Sequence, residues 1–212
     1  MKNIVLIGDS IRKGYDTYIK EQLKGVANVY YPDDNCRFAY YTLRHLHDWK
    51  NQYGFPDDTD VVHWNAGLWD SLTLFEDGIF TPVEVYKDTI KRIDRRIRIL
   101  FPKAKVIFAT STRVIEERFP EPKVSIRRNA DTEMLNAAAI EALQDTDTVI
   151  NDLYTLTANA PLEWYSDMTH LYTPEGTKLL GNKVLECIGD ALGMKCGIKD
   201  GKISVTNEFV GL

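Results

Sequence analysis

The chain has 212 residues, of which 44% are hydrophobic and 27% charged, and its formal charge is −5. This composition predicts one ordinary globular unit and excludes a disordered or low-complexity chain. The 26 basic residues are mostly interspersed with the 31 acidic ones, so we expect no nucleic-acid partner, which would need a basic footprint.

Three cysteines, Cys36, Cys187 and Cys196, occur at no metal-ligand spacing. They argue against a disulfide framework and a zinc site, although a Cys187–Cys196 pair stays open. The apolar run that opens the chain is too short for a signal-peptide core, and no later run approaches the length of a membrane span. We therefore expect a soluble, cytoplasmic protein with no membrane partner, unless a leader has been removed.

Short apolar runs alternate with helical patterns along the chain. The runs that read as strands are residues 3–7, 28–31, 61–64, 105–109 and 148–150. Nearly continuous apolar and β-branched runs are typical of strands covered on both faces, and helices between them indicate right-handed crossovers. The pattern predicts a parallel sheet in a three-layer α/β/α sandwich.

Two helices have start signals. Thr81-Pro82-Val83-Glu84 predicts a capping box with Thr81 as N-cap and a helix running to about Leu100. Thr173-Pro174-Glu175 repeats the signal, and the apolar period continues to Gly193, a suitable C′ residue. We expect a principal domain over residues 1–192 and a tail, 193–212, with a hairpin centred on Asp200-Gly201.

Polar residues follow several strands at the point where each strand ends. Ser10 follows the first strand, Asn65 and Gly67 follow the third, and residues 110–113 follow the fourth. In an open parallel sheet, reacting groups gather in the crevice beyond the carboxyl ends of the strands. These segments are therefore expected to share one rim.

Asp167 and His170 lie three residues apart just before the last long helix. A serine hydroxyl becomes a nucleophile when an imidazole takes its proton and an acid orients that imidazole. For Ser10, His170 can be that imidazole and Asp167 that acid. The Ser10 N–H, at the start of a helix, would favour an oxyanion. Alternatively, Gly8-Asp9-Ser10 is an ordinary βα turn and Asp167 caps a loop.

The remaining histidines have simpler interpretations. His45 and His47 fall in an exposed helical stretch, and His63 lies within the third strand as a core or second-layer residue. Asn65 is a candidate side-chain donor to a tetrahedral intermediate. The alternative is a turn-forming Asn with Gly67 supplying a positive φ angle.

Gly8-Asp9-Ser10, the Asn65/Gly67/Asp70 segment and Asp167-x-x-His170 together resemble the SGNH or GDSL family of serine esterases and lipases over residues 1 to about 192. The resemblance implies a flavodoxin-like sheet of five parallel strands and ester hydrolysis through an acyl-enzyme, with no metal or other cofactor. It implies Ser10 as nucleophile, His170 as general base and then acid, and Asp167 as the orienting carboxylate.

The sequence departs from the family pattern in two blocks. The family's third block commonly reads Gly-x-Asn-Asp, whereas Trp69 occupies the asparagine position here, so Asn65 is the expected substitute. The family's second block supplies a glycine N–H, whereas residues 32–38 contain no glycine. The oxyanion hole is therefore predicted to use the N–H of Ser10, the Asn65 amide, and a backbone N–H of Cys36 or Arg37.

The substrate expected from these residues is small and polar. Trp69, Gly67, Arg113 and Tyr165, with Tyr15, are predicted to line an aromatic-walled cleft suited to sugar faces, which favours a short acyl ester such as an acetyl group on carbohydrate. The alternatives are an acyl-thioesterase or lysophospholipase of the same fold, a phosphate or nucleotide binder using the loop from Gly8 to Gly14, and a non-catalytic binding module. The sequence predicts no oligomeric state.

Overall fold

The computed structural model describes residues 1–199 and 202–206. Its strands are β1 (Lys2–Ile7), β2 (Ala27–Tyr30), β3 (Val61–Asn65), β4 (Thr73–Leu74), β5 (Lys105–Ala109), β6 (Ser125–Ile126), β7 (Val149–Asn151), β8 (Lys195–Lys199) and β9 (Lys202–Thr206). Its α-helices are α1 (Ser10–Lys13), α2 (Asp16–Gln22), α3 (Ala39–Gln52), α4 (Val83–Leu100), α5 (Asn129–Leu143), α6 (Leu153–Thr157) and α7 (Pro174–Leu192). Two 3₁₀ helices span Glu116–Arg118 and Leu162–Trp164.

Five strands form one parallel sheet in the order β2-β1-β3-β5-β7. The predicted five-stranded parallel sheet is confirmed, and the strand bounds differ from the predicted ones by one residue or less. Because β1 has β2 on one side and β3 on the other, the strand order reverses beside β1. Ligands bind α/β sheets in the crevice at such a switch point, and Ser10 and Gly67 lie just beyond the strands that form it.

Two apolar clusters cover the two faces of the sheet. Alternation along β1 sends Ile4 and Leu6 into a cluster with α2 and α7, and Val5 and Ile7 into a cluster with α3, α4 and α5. Successive strand side chains point to opposite faces, so a strand buried on both faces must be apolar throughout. The three-layer prediction is confirmed.

Helix α7 begins as predicted. The Thr173 hydroxyl accepts from the Gly176 N–H at 3.2 Å, Pro174 takes the first helical position, and Gly193 ends the helix with φ of 66°. This N-cap lies three residues after His170, so the start of α7 fixes the chain direction beyond the histidine loop.

The predicted capping box at α4 is wrong. The helix begins at Val83 with Pro82 as N-cap, and the Thr81 hydroxyl donates to the Asp70 carboxylate at 2.7 Å. The Thr81 hydroxyl is turned toward Asp70 and accepts from no N–H of α4 in the described chain, so a long-range partner has overridden the local signal. The predicted helix itself is confirmed to Leu100, and its residues Tyr86, Ile90, Ile93 and Ile97 are fully buried.

Strands β8 and β9 pair antiparallel, in agreement with the hairpin signal. The predicted turn residues Asp200 and Gly201 lie outside the described residues, as does the Cys196 side chain on which the Cys187–Cys196 pairing depends. The division of the chain at residue 192 stays a prediction. Within the described part of the chain, no helix combines the length and apolarity needed to cross a bilayer.

Candidate active site

The loop before α7 holds Asp167 and His170 in direct contact. Asp167 Oδ2 lies 2.6 Å from His170 Nδ1. Asp167 Oδ1 accepts from the backbone N–H groups of Thr169 at 2.6 Å and His170 at 2.9 Å, and from the Thr169 hydroxyl at 3.0 Å. One short segment thus satisfies both carboxylate oxygens and orients the imidazole.

This contact determines where the imidazole proton sits. Partial burial acts to raise the pKa of Asp167, but hydrogen bonds from Thr169 and His170 outweigh it and lower the pKa below its ordinary value. An ionised carboxylate only accepts, so Nδ1 carries the proton and Nε2 is left free to take one from a hydroxyl. His170 is thereby the right tautomer for a general base.

Contacts outside the motif also fix the histidine loop. The Ser166 N–H donates to the His170 carbonyl at 2.8 Å, and the Ile115 N–H donates to the Met168 carbonyl at 2.8 Å. Arg118 donates to the carbonyls of Tyr165 and Asp167, both at 3.4 Å. The loop is therefore closed on itself and attached to the segment that follows β5.

Ser10 is the first residue of α1, directly beyond β1. Asp9 caps this turn, its Oδ1 accepting from the Ile11 N–H at 2.9 Å. The hydroxyl and N–H of Ser10 bond to no group in the described chain, and the residue is 8% exposed. Since α1 has only four residues, the expected stabilisation by the positive end of a helix is small, and an oxyanion here depends on individual donors.

Tyr172, a residue that the sequence analysis missed, links the two halves of the site. Its hydroxyl donates to the Ser10 carbonyl at 2.6 Å, and its ring stacks on His170 with centroids 4.6 Å apart. Within residues 1–199, no direct hydrogen bond joins the Ser10 hydroxyl to His170, but such bonds are often long in unliganded sites. The sequence feature that could have identified Tyr172 is its position, as an aromatic residue two positions after His170.

Asn65 lies beneath the Ser10 turn rather than beside it. It is fully buried, and its Nδ2 donates to Asp9 Oδ1 at 2.8 Å. A Cβ on Gly8 would lie 1.9 Å from Asn65 Oδ1, so glycine is required there by close approach. The structure contradicts the prediction that Asn65 donates to an oxyanion, because a side chain with no exposed surface cannot reach a substrate.

The two backbone donors predicted in the second block are also occupied. The Cys36 N–H donates to the Gly8 carbonyl at 3.2 Å, and the Arg37 N–H donates to the Asn35 side chain at 2.9 Å. Both predictions are therefore contradicted. The physical reason is that each N–H already has a partner, the chain just beyond β1 for Cys36 and the Asn35 side chain for Arg37, in a turn in which Arg37 adopts a φ of 49°.

Asp70 connects the third block to the second. Its buried carboxylate accepts from the Ala39 N–H at 3.0 Å, at the start of α3, as well as from Thr81. Burial raises the pKa of Asp70 to about 7. Gly67, with φ of 142°, lies where a Cβ would meet Ser111 Oγ at 2.7 Å, so it shapes the buried turn and does not line a cleft as predicted.

The other predicted cleft residues divide between core and rim. Trp69 is partly exposed, and its indole N–H bonds to no group within residues 1–199. Tyr15 is fully buried and Tyr165 is 6% exposed, with the Tyr165 hydroxyl donating to the Arg113 carbonyl at 3.3 Å. Both tyrosines therefore belong to the core, contrary to prediction. The Arg113 guanidinium is partly exposed and lies over the Tyr154 ring.

The basic residues of the first βα loop are bound to the protein itself. Arg12 is fully buried and pairs with Asp16 at 2.5 Å while donating to the Asp34 carbonyl at 2.6 Å. Lys13 donates to the Asp33 carbonyl at 2.7 Å. These contacts fix the Ser10 turn against the second block, and they argue against the phosphate-binding alternative, because Arg12 is buried and already paired.

His63 is a core residue, as predicted. It is fully buried, burial lowers its pKa to about 3, and its Nε2 lies 3.1 Å from Asn151 Nδ2. The sequence predicts that His45 and His47 are both exposed. His47 is exposed, whereas His45 is partly buried against the Tyr41 and Trp49 rings. In the described part of the chain, His, Cys, Asp and Glu form no group of three that would hold a metal ion.

Arg127, the second residue that the sequence analysis missed, enters the site from the β4–β6 pair. It follows β6, and its Nε donates to the Leu68 carbonyl at 2.5 Å, inside the third block. Burial lowers the pKa of Arg127, while the charges of Asp9 and Asp167 oppose that shift. The charges that act on its guanidinium thus belong to the Ser10 turn and to the histidine loop.

Several solved structures share this fold. The acetyl xylan esterase AlAXEase superposes with a TM-score of 0.67 and 16% identity, covering 88% of this chain and 99% of its own. A putative GDSL-like lipase from Parabacteroides merdae gives 0.69 and 15% identity, covering 89% and 95%. The lipase/acylhydrolase from Enterococcus faecalis gives 0.66 and 21% identity, covering 94% and 100%.

The chain has the SGNH/GDSL hydrolase fold. No protein-family model and no curated protein sequence matches it. At these identities the likeness concerns the fold alone, and the chemistry depends on the residues that this chain brings to the site.

Proposed function

We propose that the protein is a serine esterase that hydrolyses carboxylic esters through an acyl-serine intermediate. The observation that carries the proposal is the 2.6 Å contact between Asp167 and His170, made in a loop whose Tyr172 bonds back to Ser10. Three groups of the required types thus lie at one sheet edge in a fold shared with esterases and lipases.

In the proposed cycle the Ser10 hydroxyl attacks the acyl carbonyl while His170 Nε2 takes its proton. The tetrahedral intermediate collapses when the same imidazole returns that proton to the leaving alcohol. Water, deprotonated by His170, then attacks the acyl-serine; the bond between the acyl carbon and Ser10 Oγ breaks, His170 returns the proton to Ser10 Oγ, and the acid leaves. Asp167 remains ionised throughout and stabilises the imidazolium, in keeping with its lowered pKa.

We propose a short acyl group, such as acetyl, on a carbohydrate or similarly polar alcohol. The partly exposed Trp69 and the exposed Tyr172 beside His170 support this substrate class, because aromatic faces pack well on sugars. One solved structure of the same fold is an acetyl xylan esterase. Comparing acetyl, butyryl and octanoyl esters, with acyl thioesters and lysophospholipids, separates this substrate from the thioesterase and lysophospholipase alternatives.

The test is labelling and turnover at Ser10. We expect a fluorophosphonate to modify Ser10 in the wild-type protein, and Ser10→Ala to lose at least about 10⁴-fold in kcat on an acetyl ester with an unchanged melting temperature. Ser125→Ala, at an exposed serine of β6, is the matched control and should keep full activity. Turnover that survives in Ser10→Ala, or a wild type that is neither labelled nor active, contradicts the esterase proposal; the latter result supports a binding module.

A further inference from the structure

Ester hydrolysis at Ser10 needs donors for the oxyanion, and the donors predicted from sequence are already engaged. The Asn65 amide bonds to Asp9, the Cys36 N–H to Gly8, and the Arg37 N–H to Asn35. Of the predicted donors, only the N–H of Ser10 is left unbonded in the described chain. A single backbone N–H is a weak site for a full negative charge, since removing one donor of an oxyanion hole costs about 10²- to 10³-fold in kcat.

Arg127 is placed to supply what is missing. Its Nε is fixed by the Leu68 carbonyl, between Gly67 and Trp69, in the block where the family pattern has its asparagine donor. The two terminal amino groups of the guanidinium bond to no other group within residues 1–199. Asp9 and Asp167, whose charges act to raise the pKa of Arg127, belong to the two segments flanking the nucleophile.

We propose that the Arg127 guanidinium is a catalytic residue that donates hydrogen bonds to the oxyanion formed on attack by Ser10. The inference rests on the esterase function proposed above. A fixed cation interacts more strongly with the negative oxygen of the intermediate than with the neutral carbonyl of the substrate, so its binding energy is expressed mainly in the transition state. Arg127 remains protonated throughout the cycle, and no bond to it forms or breaks.

Arginine also suits the geometry of this position. The planar guanidinium can keep its Nε bond to Leu68 while presenting its terminal N–H groups from a fixed direction. Lysine would retain the charge but lose this bond and the planar arrangement of N–H donors. The competing donor is the Trp69 indole, which offers one neutral N–H.

The test compares Arg127→Ala, Arg127→Lys and the matched control Arg128→Ala on a neutral acetyl ester. Arg128 is the adjacent, exposed arginine and pairs only loosely with Asp131, at 3.8 Å. We expect kcat to fall about 10²- to 10³-fold in Arg127→Ala with KM within about threefold. Arg127→Lys should recover a small part of that loss, and Arg128→Ala should match the wild type. Added guanidinium ion should partly restore Arg127→Ala, a response that a purely structural role would not give.

Three results would overturn the assignment. The first is an unchanged kcat in Arg127→Ala. The second is a loss confined to KM for anionic substrates, which would make Arg127 a specificity residue. The third is a Trp69→Phe variant that loses kcat while both Arg127 variants, folded by melting temperature, do not. A wild type that hydrolyses esters while Arg127→Ala is unimpaired contradicts this inference alone, whereas an inactive wild type contradicts the esterase proposal as well.

Discussion

Two regions flank the same serine but are organised differently. One is the histidine loop, residues 166–173, and the other is the opposite wall, residues 35–38 and 65–70. In the loop, Asp167 bonds to residues two and three positions away. In the wall, Asn65 bonds to Asp9 and Asp70 to Ala39, 56 and 31 residues away. The acid–base half is thus built from local sequence, whereas the donors of the other half depend on how distant segments meet.

The largest expected effect that sharpens this comparison is that of Asp167→Asn. An amide leaves the loop geometry nearly unchanged but can no longer hold the Nδ1–H tautomer, so we expect kcat to fall by about 10⁴-fold. Asp145→Asn, at an exposed acidic residue in the turn after α5, is the control for loss of one charge. Kinetics on an acetyl ester measure the effect, and a drop of less than tenfold would mean that Asp167 does not orient the base.

Asp70→Asn tests the opposite wall through the pH dependence of the protein's stability. The folded pKa of Asp70 is raised to about 7 from an ordinary 3.8, so its contribution to stability is fully present below the ordinary pKa and is lost as pH rises through about 7. The wild type should therefore lose on the order of 2 kcal/mol in free energy of unfolding, relative to Asp70→Asn, between pH 5 and pH 8. Denaturant melts at both pH values measure this, and a pH-independent difference would contradict the raised pKa.

The smallest expected effect is that of Tyr172→Phe, at the junction of the two regions. The variant keeps the ring against His170 and removes only the hydrogen bond to the Ser10 carbonyl. A loss of about 0.5–1.5 kcal/mol in stability follows from a single neutral hydrogen bond, with a several-fold fall in kcat as Ser10 loses alignment. Wild-type values of both would show that the bond does not couple the two halves; Tyr154→Phe is a control for loss of a tyrosine hydroxyl elsewhere.

Much of the fold could be predicted because its signals are local. The five apolar runs and the Thr173-Pro174 start of α7 are each decided within a few residues, and the sheet confirms them. The start of α4 could not be read this way, since Thr81 bonds to Asp70, eleven residues away. Tyr15 and Tyr165 pack in the core and not in the predicted cleft, because composition does not tell a buried aromatic residue from an exposed one.

The sequence by itself determined the parallel sheet, the position of Ser10 beyond β1, and the spacing that lets Asp167 meet His170, because period and short-range hydrogen bonds act along the chain. Only the tertiary structure decided which polar groups face the nucleophile. It turned Asn65 inward beneath Gly8, occupied the N–H groups of Cys36 and Arg37, and brought Arg127 to Leu68, 59 residues away. A buried polar group bonds to the nearest partner in space, and that partner is set by packing rather than by sequence separation.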